Sequence, residues 1–176
     1  MKKRFLFILF LCSGAALAHA ATEITMTTNN QITCPGQPGN SNTMMLTSWL
    51  WGTSSASTTV SGIPGAGKLS LSQVTITKPF DFCTNAMLAA YFGETRLSTV
   101  VILQFGLNTT GTGTLTFAQL TLTNAYFVSY QASAVLTNGP TTETWTLGFD
   151  KICVLTNGQT AAGQSITGTT ACYPET

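Results

Sequence analysis

Charge is scarce in this chain. Asp, Glu, Lys and Arg make up 7% of its 176 residues, against about 25% in an ordinary globular protein. Histidine is scarcer still: the only one is His19, close to the N-terminus. Twenty residues from the start, imidazole chemistry is over. That excludes Ser-His-Asp and Cys-His catalysis and histidine-ligated metals from the body of the protein. No apolar run approaches the ~20 residues of a membrane-spanning helix. There is no CxxC pair, so a zinc site is not expected. No basic cluster is present to attract nucleic acid or an anionic membrane.

What stands in place of charge is Thr, Ser, Asn and Gln, with 44% hydrophobic residues. A surface wet by hydroxyls and amides repels its own copies weakly, which favours self-association. The first twenty residues differ from the rest. Lys2, Lys3 and Arg4 precede an apolar run from Phe5 to Leu11, and Ala18-His19-Ala20 has the small-x-small form of a cleavage site. This predicts an export signal cut after Ala20, with residues 21–176 as one domain and a secreted or periplasmic location. Leu11 before Cys12 is too bulky for a lipid-attachment box. Cleavage would leave four basic residues against six acidic ones, a net charge of −2.

Four cysteines lie beyond the signal: Cys34, Cys83, Cys153 and Cys172. An even number in an exported chain predicts two disulfides, for which three pairings exist. Cys153–Cys172, tying the tail to the last strand, and Cys34–Cys83 are the favoured pair.

Alternation of apolar and polar residues predicts strands over most of the chain. They cover 23–28, 44–51, 68–77, 99–107, 115–130 and 141–155. A bulge is expected near Ser72-Gln73, and the 99–107 strand is dense enough in apolar residues to be buried on both faces. Cys83 to Phe92 is the exception. Ala86, Met87, Leu88, Ala89 and Ala90 favour helix, with Thr84 or Asn85 to cap it and Gly93 to end it.

Gly62-Ile63-Pro64-Gly65-Ala66-Gly67-Lys68 matches the phosphate-loop pattern G-x-x-x-x-G-K. The physics opposes that reading. Leu69 replaces the Ser or Thr that holds Mg²⁺, and an alternating strand follows where a helix N-terminus is needed. No nucleotide and no cofactor are expected. Among the carboxylates, Asp81 and Glu94 bracket the helix and are the least implausible hydrolase pair, though solvated helix-end residues explain them better. Lys68, Lys78, Arg96 and Lys151 form no cluster. Trp49, Trp51 and Trp145 could make a sugar-binding platform, but their strand periodicity fits core packing better. Asn108-Thr109-Thr110 is a formal glycosylation sequon.

One order of motifs says more. Trp49-Leu50-Trp51-Gly52 ends a strand and opens a long Ser/Thr/Gly loop. That loop closes in Gly65-Ala66-Gly67-Lys68. A strand then ends in Thr75-Ile76-Thr77-Lys78-Pro79-Phe80-Asp81, and the helix Asn85-Ala86-Met87-Leu88 follows. From Met44 to Val154 this order resembles the haemolysin-coregulated protein (Hcp) family. The resemblance implies a mainly β fold, a small two-sheet β-barrel with one short helix. It also implies non-enzymatic self-assembly into hexameric rings able to stack, with type VI secretion components as partners. In that family a loop between the second and third strands reaches a neighbouring subunit or ring. Here it would be Thr53 to Gly67, with Thr53, Ser57, Gly62, Gly65, Ala66 and Gly67 as contact residues. The alternatives are an extracellular or periplasmic module binding a glycan or surface partner, a small outer-membrane barrel, and a hydrolase.

Overall fold

The computed structural model describes residues 22–35, 42–55, 58–60, 63–65, 69–107, 113–134, 141–160, 162 and 164–174. The expected export signal and Asn108 lie outside them. Among the described residues, fifteen strands and one helix follow in chain order. They are β1 (Thr22–Thr27), β2 (Thr43–Leu46), β3 (Ser48–Leu50), β4 (Thr53–Ser55), β5 (Thr58–Val60), β6 (Ile63–Gly65), β7 (Leu69–Leu71) and β8 (Val74–Pro79). Then come α1 (Thr84–Phe92), β9 (Leu97–Leu107), β10 (Thr114–Ser133), β11 (Thr142–Gly148), β12 (Lys151–Thr156), β13 (Gly158–Gln159), β14 (Ser165–Ile166) and β15 (Thr170–Tyr173).

The main sheet runs β2-β1-β9-β10-β11-β8-β3, with β12 pairing β10 and β15 pairing β12. Its two ends are consecutive in the chain. β2 pairs β1, β3 pairs β8, and only Thr47 separates them. The fold is therefore a mainly β architecture whose ladder bends rather than closing into an unbroken ring.

Three of the expected strands are broken, for one physical reason. A strand that must serve two sheets has to turn a corner. At Thr47 the backbone N–H and the side-chain hydroxyl both donate to the Thr77 carbonyl, at 2.8 and 3.0 Å, and this holds the first corner. At Ser72-Gln73 the strand changes partners: β7 pairs β4, whereas β8 pairs β3 and β11. At Phe149-Asp150 the long strand passes from β11 to β12, and the Asp150 N–H is taken up by the Thr123 carbonyl at 3.0 Å. The 99–107 strand is not buried on both faces. Val100 and Ile102 are buried, while Val101, Leu103 and Phe105 are only half-buried. Its outer face is apolar without being covered.

The helix forms as its composition predicts, but its ends differ in detail. Cys83 stands at the N-cap without a side-chain cap bond. The Cys83 N–H goes instead to Asp81 Oδ1 at 2.8 Å. Gly93 is the C-cap with φ −81°. The left-handed residue is Glu94, at φ 48°.

The core collects Met26, Met44, Val74, Ile76, Met87, Leu97, Ile102, Leu120, Leu122, Trp145 and Leu147, all fully buried. Trp145 is its largest member. It lies edge-on to Tyr91 (6.3 Å between centroids), with Phe127 and Tyr130 at 4.9 and 4.4 Å. Trp145 is thus a core residue, and Trp49 and Trp51 are partly buried and pack against the same cluster. Gly148 is required by a close approach. A Cβ there would meet Tyr126 Cζ at 2.5 Å, and Tyr126 is itself stacked under Arg96 at 4.1 Å. Gly148→Ala is expected to cost about 1–3 kcal/mol of stability by overpacking, read as a lower urea midpoint with unchanged slope.

Candidate functional site

Two features stand apart from the ordinary core. The first is the arm between β3 and β8. The stretch expected as a flexible loop contains strands. β4 pairs β7 through Thr53↔Leu71, Ser54↔Ser70 and Ser55↔Leu69. β5 pairs β6 through Thr58↔Gly65, Thr59↔Pro64 and Val60↔Ile63. Each is a two-stranded ribbon separate from the main sheet. Its root is tied at Gly52 and Ser72. Ser72 Oγ accepts the Gly52 N–H at 2.9 Å, and the Ser72 hydroxyl and N–H both donate to the Gly52 carbonyl, at 2.8 and 3.0 Å. Of the expected contact residues, Thr53 lies in β4 and Gly65 in β6. Ser57, Gly62, Ala66 and Gly67 lie outside the described residues, as does Lys68. Among the described residues a strand, β7, follows the glycine-rich stretch, where a phosphate site would need a helix N-terminus.

The second feature is an ionic cluster inside the fold. Alternation along β8 buries Val74, Ile76 and Lys78 on one face, and alternation along β11 buries Glu143, Trp145 and Leu147. The register sets Leu147 against Val74, Trp145 against Ile76 and Glu143 against Lys78. An ion pair thus ends an apolar ladder, with both side chains at 0% exposure. Lys78 Nζ donates to Glu143 Oε1 at 2.6 Å, to Asp81 Oδ1 at 2.7 Å and to the Pro79 carbonyl at 2.8 Å. The Thr84 hydroxyl donates to Glu143 Oε1 at 3.0 Å and accepts the Asp81 N–H at 3.1 Å. Glu143 Oε2 is buried and makes no hydrogen bond. Tyr130 lies near enough that burial first, and then the Glu143 carboxylate, hold its phenol above the usual tyrosine range. No well-formed hydrogen bond from it reaches Oε2.

Asp81 stands at the helix end as expected, but its side chain is only 29% exposed and is bound to Lys78. Lys78 meets carboxylates there rather than another basic residue. The contemplated Asp81/Glu94 pair does not form, because Asp81 is committed to Lys78 and Cys83 while Glu94 is exposed.

One disulfide adjoins the ionic cluster and the other joins β12 to β15. Cys34 is bonded to Cys83, at the start of α1. Cys153 is bonded to Cys172, its direct opposite on β15.

Solved structures of secretion proteins share this architecture. A type six secretion system protein superposes with a TM-score of 0.70 at 18% identity, over 86% of this chain and 92% of that one. Hcp1 from Salmonella typhimurium gives 0.64 at 16% identity, over 87% and 94%. A type VI secretion system effector from Yersinia pestis gives 0.62 at 13%, over 85% and 98%. At such identities the likeness is one of fold. No curated protein matches the sequence. The shared fold is the one that these type VI secretion proteins, Hcp1 among them, adopt. The model of the type VI secretion system effector family, Hcp, matches residues 35–155, well over half of the chain, and the chain belongs to that family.

Proposed function

We propose that this protein is an exported, non-enzymatic Hcp subunit that assembles with its own copies into hexameric rings, which stack through the β4–β7 and β5–β6 arm. The arm is the observation that carries the reading. An isolated two-stranded hairpin is marginally stable in water, and this one pairs with no other strand of its own chain among the described residues. No charged residue lies between Trp49 and Lys68, so copies can meet there without repulsion at every repeat. A neighbouring subunit supplies the surface that the arm lacks within its own chain.

Export rests on the N-terminal signal, with cleavage after Ala20. The four cysteines agree with it, since disulfides persist in oxidising compartments. No helix among the described residues is long and apolar enough to cross a membrane.

The mass and shape of the mature, oxidised protein test the assembly. Light scattering with negative-stain images is expected to give rings of about six subunits, the number the family resemblance implies. A clean monomer across the micromolar range would remove the ring and leave a binding module on the same fold. Gly65→Asp or Ala66→Asp is expected to weaken stacking while the unfolding midpoint stays within about 0.5 kcal/mol of the parent, as for most surface substitutions. Unchanged stacking would take the arm out of the interface.

A further inference from the structure

We propose that Lys78 and Glu143 condense to an intramolecular amide, so that β8 and β11 are joined covalently across the core. The proposal is independent of the ring. It stands on four observations. The two residues are directly opposite in the β8–β11 register. Both side chains are fully buried, with Nζ 2.6 Å from Oε1. A second carboxylate, Asp81, touches the same nitrogen at 2.7 Å. Glu143 Oε2 makes no hydrogen bond of good geometry, although the Tyr130 phenol interacts with that carboxylate.

An ordinary ion pair accounts for this site poorly. One ammonium faces two carboxylates, leaving a net negative charge, and a buried carboxylate oxygen normally has a partner. Its desolvation is costly. The amide removes both problems. Lys78 and Glu143 lose their buried charges together, and the remaining charge sits on the more exposed Asp81. The amide nitrogen keeps one hydrogen, which is aimed at Asp81 Oδ1. The remaining carbonyl oxygen stands where Oε1 is and accepts the Thr84 hydroxyl. Oε2 is the oxygen that leaves. The Pro79 carbonyl and, at 3.5 Å, the Thr84 hydroxyl lose a donor.

The steps balance without any oxidant or added reagent. In a dry site the ammonium hands one proton to Glu143 Oε2, giving a neutral amine beside a neutral acid. The Nζ lone pair attacks Cδ, and Asp81 takes a second proton as the N–C bond forms. Asp81 returns that proton to the Oε2 hydroxyl, the Cδ–O bond breaks, and water departs. Nζ retains the third hydrogen. Asp81 ends as the carboxylate it began as, and the net charge of the site is unchanged. An amine and a carboxyl group held in contact through Oε1 and shielded from water supply the proximity such a condensation needs.

The test is mass spectrometry of the purified full chain with its disulfides reduced, followed by proteolysis. Peptides carrying Lys78 and Glu143 are expected as one branched peptide, lighter than their sum by one water. Separate peptides with an unmodified Lys78 overturn the proposal, and a branch at Asp81 overturns the assignment to Glu143. Lys78→Arg, whose guanidinium stays protonated, is expected to lose the mass shift. Asp81→Asn keeps both reacting residues and removes the proton carrier. Cross-linking in freshly refolded protein is expected to slow by about 100-fold or more, the usual contribution of a placed acid–base group. An Asp81→Asn protein that cross-links at the parent rate would show that Asp81 takes no part.

Discussion

Glu143→Ala strands the buried Lys78 ammonium, which Glu143 neutralises in the parent, and is expected to lower stability by about 3–5 kcal/mol. The reason lies in what remains. Lys78 is fully buried at the end of β8, and the substitution takes away its closest partner and the acceptor of the Thr84 hydroxyl. Asp81 alone would then face it. The predicted loss is a large share of the ~5–15 kcal/mol by which domains are stable. Urea unfolding of the oxidised protein measures it directly. The double variant Lys78→Met, Glu143→Leu provides the contrast. It replaces both side chains with apolar ones, so that no buried ammonium is left and only the part-exposed Asp81 loses its partner, and it is expected to lose less than Glu143→Ala does. A Glu143→Ala midpoint equivalent to less than about 1 kcal/mol would mean that water reaches Lys78 freely, since a solvated lysine needs no partner. The site would then not be a dry cluster.

More of this cluster was legible in the sequence than its scattered basic residues suggest. Alternation along 74–79 and 142–148 already puts Lys78 in step with Val74 and Ile76, and Glu143 in step with Trp145 and Leu147. Two charges of opposite sign at core positions of two strands are a signal in themselves, because neither is buried alone. What period two cannot supply is the pairing. Register comes from which strands meet, and β8 meets β11 across 65 residues. The same limit explains the corners. Thr47 and Phe149-Asp150 carry ordinary strand residues, and nothing local shows that the chain changes sheets there. The arm was legible as a Ser/Thr/Gly stretch, but a composition low in apolar residues reads as loop. Its strands are set by the ladder the structure gives, Thr58 against Gly65 and Val60 against Ile63. The helix was legible throughout, because alanine and leucine propensity acts within a single turn. Its capping was not, since the acceptor for the Cys83 N–H is the side chain of a residue outside the helix, Asp81.

Cys34→Ala with Cys83→Ala is expected to cost about 4 kcal/mol, and Cys153→Ala with Cys172→Ala about 3 kcal/mol. The difference follows from chain entropy. The first bridge closes a separation of 49 residues and the second one of 19, and a longer loop restricts the unfolded chain more. Native surroundings add to the contrast. Cys34 and Cys83 are buried, whereas Cys172 is half-buried on an edge strand. The first bridge also has a local task. It fastens the turn after β1 to the start of α1, next to Asp81 and Thr84, which close over Lys78. Amide exchange over residues 81–92 is therefore expected to rise in the Cys34/Cys83 variant and to change little in the other. The two effects bear on where the protein can fold. A chain kept reduced forgoes both contributions, so its native state is favoured on the oxidising side of the membrane, where the signal would deliver it. Equal midpoints for the two double variants would mean that loop length does not govern the bridges, and an exchange pattern unaltered at α1 would separate the Cys34–Cys83 bridge from the cluster beside it.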